Sequence, residues 1–131
     1  PRSRGWFVWD KVEGIAGPER LSFSSVEFGW TGFDKPGRIF RHRWFGLIHP
    51  SEPGKRFHPT QKPVALMVDI INEYIPRPKG FIYDPYAGSG PILLACEKLN
   101  LECRAMEIEP LYCDIIVARW EAMTGKKAER P

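Results

Sequence analysis

No run of apolar residues in this 131-residue chain approaches the roughly 18 that a membrane-spanning helix needs. The aliphatic core of a signal peptide is also missing, because Pro1-Arg2-Ser3-Arg4 leads into the aromatic stretch Gly5-Trp6-Phe7-Val8-Trp9. Cysteine is scarce. The three present, Cys96, Cys103 and Cys113, form no Cys-x-x-Cys pair, and their odd number argues against a disulfide framework and supplies no zinc-ligand spacing. These absences suit a soluble cytoplasmic protein with reduced thiols and no metal. The chain also lacks an initiating Met, which points to a processed start or to a piece of a longer chain.

What is present is enough for one globular domain, or a large part of one, since about two-thirds of the unfolded surface can be buried at this size. The net charge of +3 hides an uneven distribution. Residues 38–62 hold six basic side chains (Arg38, Arg41, Arg43, Lys55, Arg56 and Lys62) against one acid, Glu52, together with all three histidines, His42, His49 and His58. A basic stripe of this kind suits a polyanionic partner. A solvated strand and loop would have the same composition.

Read for periodicity, residues 6–9 are β-prone, and residues 22–30 alternate so that Val26, Phe28 and Trp30 share one face of a half-buried strand. Asp34-Lys35-Pro36-Gly37 is a turn. A further strand is expected over residues 38–45, with Arg41 and Arg43 on one face and Phe40 and His42 on the other. Such arginines beside Trp44 and Phe45 could hold phosphate and stack on bases, or simply guard an edge strand. The spacing of Leu66, Met67, Ile70, Ile71, Tyr74 and Ile75 predicts a helix over 64–75, with Pro63 at its start. A strand over 81–83, a glycine turn, a helix over 91–99, a strand over 101–106 and a helix over 110–123 follow. This β-α-β-α order marks an α/β fold with a mostly parallel sheet.

The chemistry concentrates in Asp84-Pro85-Tyr86-Ala87-Gly88-Ser89-Gly90. A strand that runs into an acid, a glycine turn and a helix is how open α/β proteins build a ligand crevice. Gly90 is followed by Pro91 and Ile92, so the lysine of a phosphate-cradling NTPase loop is missing. Leu93 stands where a dinucleotide fingerprint needs a third Gly or Ala, which leaves a nucleoside ligand without a pyrophosphate. Glu107 follows Asp84 at close to the roughly 20-residue spacing at which an acid meets ribose hydroxyls. The helix from Pro91 would aim free N–H groups at an anionic part of the ligand.

Three motifs in order, His58-Pro59-Thr60-Gln61-Lys62-Pro63, then Asp84 through Gly90, then Met106-Glu107-Ile108-Glu109-Pro110, resemble the DNA amino-methyltransferases in the permuted order that puts the catalytic part first. The pieces Val8-Trp9-Asp10-Lys11, Phe28-Gly29-Trp30-Thr31-Gly32-Phe33 and Arg38-Ile39-Phe40-Arg41 look like phage-type members. The resemblance implies a Rossmann-like methyltransferase fold, S-adenosylmethionine as methyl donor, and transfer to adenine N6 or cytosine N4 of DNA. DNA and S-adenosylmethionine are the implied partners, with a homodimer as an option. His58, Pro59, Thr60, Gln61 and Lys62 match the segment closing over the cofactor's amino-acid end. Asp84, Pro85, Tyr86, Gly88, Ser89 and Gly90 match the motif at its methionine end, Glu107 the ribose-binding acid and Ile108 the apolar neighbour of adenine. Arg38, Arg41 and Arg43 are the DNA-contacting candidates.

The family's catalytic tetrapeptide carries Pro-Pro, and the chain contains no Pro-Pro. The resemblance therefore implies a catalytic motif upstream of Pro1, no catalytic residue among those present, and an isolated chain that binds cofactor without methylating. Residues 1–57 would be the end of the catalytic and target-recognition part, and residues 58–131 the cofactor-binding part. A non-catalytic nucleic-acid-binding module and a methyltransferase of a non-DNA substrate are the competing readings. Cytosine C5 methylation has little support, because Ala95, Glu102 and Tyr112, not proline, precede the cysteines.

Overall fold

The computed structural model describes residues 4–15, 23–45, 50–52, 60–75 and 80–129. Three strands form one sheet. β1 (Gly5–Asp10) lies between β2 (Val26–Thr31), antiparallel to it, and β3 (Arg38–Arg41), parallel to it. After α1 (Val64–Tyr74), a second, two-stranded parallel sheet pairs β4 (Ile82–Asp84) with β5 (Cys103–Ala105) across α2 (Pro91–Lys98). α3 (Pro110–Thr124) closes the order. The expected α/β class and β-α-β-α run are present, with most boundaries within two residues of expectation.

Aromatic side chains hold the first sheet to α1. Phe7 and Phe40, on β1 and β3, meet edge to face at 5.4 Å, and Tyr74 near the end of α1 lies 6.1 Å from Phe7 and 6.4 Å from Phe40. Trp9, Trp44 and Leu66 form a buried cluster beside them, and the Trp9 indole N–H donates to the His42 carbonyl at 2.9 Å. Gly29 pairs with Phe7 in the ladder, where an added Cβ would fall 2.0 Å from the Phe7 ring. The missing side chain is what lets that ring lie across β2.

Two strand expectations are corrected. Val26, Phe28 and Trp30 do share a face, but Phe28 is 65% and Trp30 72% exposed. Among the described residues the helical layer on this sheet is α1, which takes the Phe7, Trp9 and Phe40 face and leaves the opposite one open. β3 ends at Arg41 rather than at 45. Its partner β1 stops at Asp10, whose carboxylate accepts the Val12 N–H at 3.0 Å and turns the chain, so the ladder has nothing regular to continue along.

The second core lies between α1, α2 and the β4–β5 pair, where Val64, Ile71, Leu94, Ala95 and Cys96 are buried against Met67, Val68, Ile82, Leu101 and Cys103. Burial of one such leucine is worth about 2–5 kcal/mol when it is truncated to alanine. α2 begins with Pro91 at its first position, where the missing N–H costs nothing. α3 is capped at its start by Glu109, whose carboxylate accepts the Leu111 N–H, and at its end by Gly125 with φ +71°. Among the described residues no helix is long and apolar enough to cross a membrane.

Candidate functional site

The carboxyl ends of β4 and β5 are tied together beyond the ladder. The Met106 N–H donates to the Asp84 carbonyl at 2.8 Å and the Ala87 N–H to the Met106 carbonyl at 2.9 Å. Between them the chain makes its glycine turn with φ +55° at Gly88 and +75° at Gly90, a region that a side chain enters only at a cost. At Gly90 an added Cβ would also lie 2.9 Å from Ile116 of α3. The turn is therefore fixed by backbone conformation and by packing together.

Two carboxylates brace this turn. The Tyr86 N–H donates to Asp84 Oδ1 at 3.0 Å, and Asp84 itself is buried. The Gly88 N–H donates to Glu107 Oε2 at 2.7 Å, and the Glu109 N–H to Glu107 Oε1 at 2.9 Å. Each oxygen of the Glu107 carboxylate thus accepts a backbone N–H, which fixes the orientation of the group.

A cavity of about 440 Å³ opens above the turn, within the range of small-molecule sites. Thr60, Gln61, Lys62, Asp84, Tyr86, Gly88, Ser89 and Glu107 all line it, so two segments more than twenty residues apart converge on one space. Pro85, Gly90 and Ile108 do not line it, and Ile108 stands 98% exposed beside Glu107. His58 and Pro59 lie outside the described residues, as do His49, Lys55 and Arg56. Met67, Ala87, Pro91 and Ile92 also line it without having been expected as site residues; Met67 was legible only as a helix-core position and Ala87 only as part of the motif.

The Ser89 hydroxyl, 2% exposed at the residue level, has no hydrogen-bond partner among the described residues. A buried hydroxyl without a partner costs about 1–3 kcal/mol. An acceptor or donor on a molecule bound in this cavity would remove that cost. Lys62 reaches the same cavity while its ammonium pairs with Glu27 Oε2 at 2.7 Å and lies 5.5 Å from the Trp9 ring centroid. Lys11 joins from the other side, 3.2 Å from Glu27 Oε1.

No cysteine lines this cavity, although Cys113 Sγ donates to the Glu107 carbonyl at 3.6 Å. Burial, reinforced by neighbouring Cys103 and Asp84, pushes the Cys96 thiol up to about 12, so it stays protonated and poorly nucleophilic. Among the described residues no cluster of three or more His, Cys, Asp and Glu side chains could hold a metal.

The three arginines separate. Arg38 bonds Glu73 of α1 through Nε at 3.0 Å, beside Lys35, 3.7 Å from the same oxygen, which makes it a strut between β3 and α1. Arg43 donates to the Glu13 carbonyl at 2.7 Å, and His42 meets Asp69 at 2.9 Å. Arg41 is exposed and shares with Arg43 and His42 a second cavity of about 320 Å³.

A family model described as DNA methylase (N6/N4 methyltransferase) matches residues 17–118. Among solved structures, that of an M1.HpyAVI–SAM complex is 28% identical with a TM-score of 0.58, over 87% of this chain and 60% of that one. A second structure of M1.HpyAVI, 22% identical with a TM-score of 0.56, shares the fold over 90% of this chain and 60% of that one. The chain thus spans 60% of the length of the solved chains it matches.

Proposed function

The chain belongs to the DNA methylase family, and from that premise we propose that the cavity above its glycine turn holds S-adenosylmethionine for methyl transfer to an exocyclic amino group of DNA, adenine N6 first and cytosine N4 second. The observation that carries this is the convergence of Thr60, Gln61 and Lys62 with Asp84, Ser89 and Glu107 on one cavity, with an unpartnered buried hydroxyl in its wall. When bound, S-adenosylmethionine supplies an electrophilic methyl group on a sulfonium.

The residues fit such a ligand. Glu107, its carboxylate held by the Gly88 and Glu109 N–H groups, faces the cavity as the acceptor for vicinal ribose hydroxyls. Asp84 places a buried negative charge near the turn, where an ammonium or sulfonium would be favoured. Ser89 offers its hydroxyl to the amino-acid end, and Gln61 and Lys62 close that side. The exposed Ile108, next to Glu107, offers apolar surface for the adenine to cover, and Tyr86 lines the cavity toward the methionine end. We assign residues 58–131 to cofactor binding and the β-rich residues 1–57 to the part that meets DNA, with Arg41 and Arg43 as phosphate contacts and Arg38 as their support. Three unpaired cysteines suit a reducing cytoplasm.

An exocyclic amine conjugated to its ring is a weak nucleophile, so the reaction needs the base out of the stack and the amine aimed at the donor. Calorimetric titration with S-adenosylmethionine tests the assignment. Asp84→Ala and Glu107→Ala should each lose at least tenfold in affinity, whereas wild-type affinity in both variants would refute it.

A further inference from the structure

Arg119 has no counterpart in any motif of the sequence, yet it reaches both walls of the cavity. It lies in α3, 30 residues from Ser89 and 67 from Glu52. One terminal nitrogen, Nη1, donates to the Ser89 carbonyl, and the other, Nη2, donates to Glu52 Oε2 at 2.6 Å. That same carboxylate oxygen accepts from Gln61 Nε2 at 3.1 Å, while Glu52 Oε1 accepts the Val64 N–H at 2.6 Å. Pro63, which precedes α1, supplies no side-chain cap, so Glu52 satisfies one of the free donors at that helix start.

We propose that Arg119 and Glu52 form a positioning pair that sets the distance between the glycine turn and the Thr60-to-Lys62 segment, and so the shape of the cofactor cavity. Ser89 and Gln61 are both buried lining residues on opposite walls, and the pair holds the backbone of one and the side chain of the other. Neither Arg119 nor Glu52 lines the cavity itself. Ile116, one turn before Arg119, packs at Gly90, so α3 fixes the turn by shape and by charge from a single face. The side chains of Arg119 and Glu52 are only 10% and 21% exposed, so removing one leaves the other's charge largely out of water. A planar fork is needed to serve a carbonyl and a carboxylate at once, which distinguishes arginine from lysine here.

The inference rests on the cofactor reading for its affinity effect but not for its structural one. Arg119→Met, Arg119→Lys and the isosteric Glu52→Gln are titrated with S-adenosylmethionine, and amide hydrogen exchange is followed in the unliganded proteins. Arg119→Met should bind at least tenfold more weakly and exchange faster at Gly90 and Val64, with the β1–β2 ladder unchanged. Arg119→Lys should recover at least threefold of the lost affinity. Wild-type exchange at Gly90 and Val64 in Arg119→Met overturns the pair, as does a Lys variant no better than Met, which would indicate lost volume alone. Should Arg119→Met fail to fold, Glu52→Gln is judged by the same two readouts. Should the wild-type chain not bind S-adenosylmethionine, the cofactor reading fails and exchange at the two amides decides the pair.

Discussion

The Gly88 N–H points at Glu107, 2.7 Å from Oε2, so the acid expected to meet a ribose also holds the glycine turn in place. Binding and local folding are thereby coupled at one side chain. Glu107→Gln can offer only one acceptor oxygen to the two N–H groups that Glu107 serves, and turns an amide NH₂ toward the other. It should lower stability by about 1–3 kcal/mol as well as weaken S-adenosylmethionine, which urea denaturation and calorimetry on the same variant would separate.

Gly90→Ala meets two obstacles, the positive φ and the Ile116 side chain at 2.9 Å. The backbone part alone costs about 1–2 kcal/mol. Combining it with Ile116→Ala should return the steric part but not the conformational one, so the double variant should melt above the sum of the two singles and still below wild type.

Glu27 links the first sheet to the cavity through Lys62 and Lys11. Burial pushes its carboxyl up, but the hydrogen bonds and charges of Lys62 and Lys11 outweigh that and hold it below the usual range. Because the folded value is depressed, its stabilisation is complete above the unfolded value of about 4.3 and is lost as pH falls through that and on through the folded value. Denaturation midpoints between about pH 6 and pH 3 should fall more steeply for wild type than for Glu27→Gln. Equal slopes would show that the pair carries no pH-dependent stability.

Arg41 and Arg38 should behave differently when reversed to glutamate. Arg41→Glu should reduce salt-dependent retention on DNA with little change in melting temperature, whereas Arg38→Glu should lower the melting temperature by facing Glu73 with a like charge. Retention unchanged in Arg41→Glu and Arg43→Glu would favour a non-DNA substrate. Retention without methylation by a chain completed with a Pro-Pro motif would favour a binding module.

The local periodicity of α1 and the glycine punctuation of the 84–90 turn were legible because they depend on neighbours in sequence. Thr60, Gln61 and Lys62 were legible as part of a motif, although nothing in their spacing placed them across a cavity from Ser89. The exposure of Phe28 and Trp30 was not legible, since alternation identifies two faces without saying which one a helix will cover. Arg38 read as a free basic side chain because its partner Glu73 is 35 residues away. Glu52 and Arg119 gave no signal at all. Each looks like an ordinary surface charge until the fold brings them within 2.6 Å.

The most direct measurement is the structure of this chain with S-adenosylmethionine bound. The expected result places the ribose hydroxyls on Glu107 and the amino-acid end against Ser89 and Gln61, with the Gly88–Glu107 bond intact. A ligand seated elsewhere, or one that leaves the Ser89 hydroxyl unpartnered and Glu107 untouched, would contradict the assignment of this cavity.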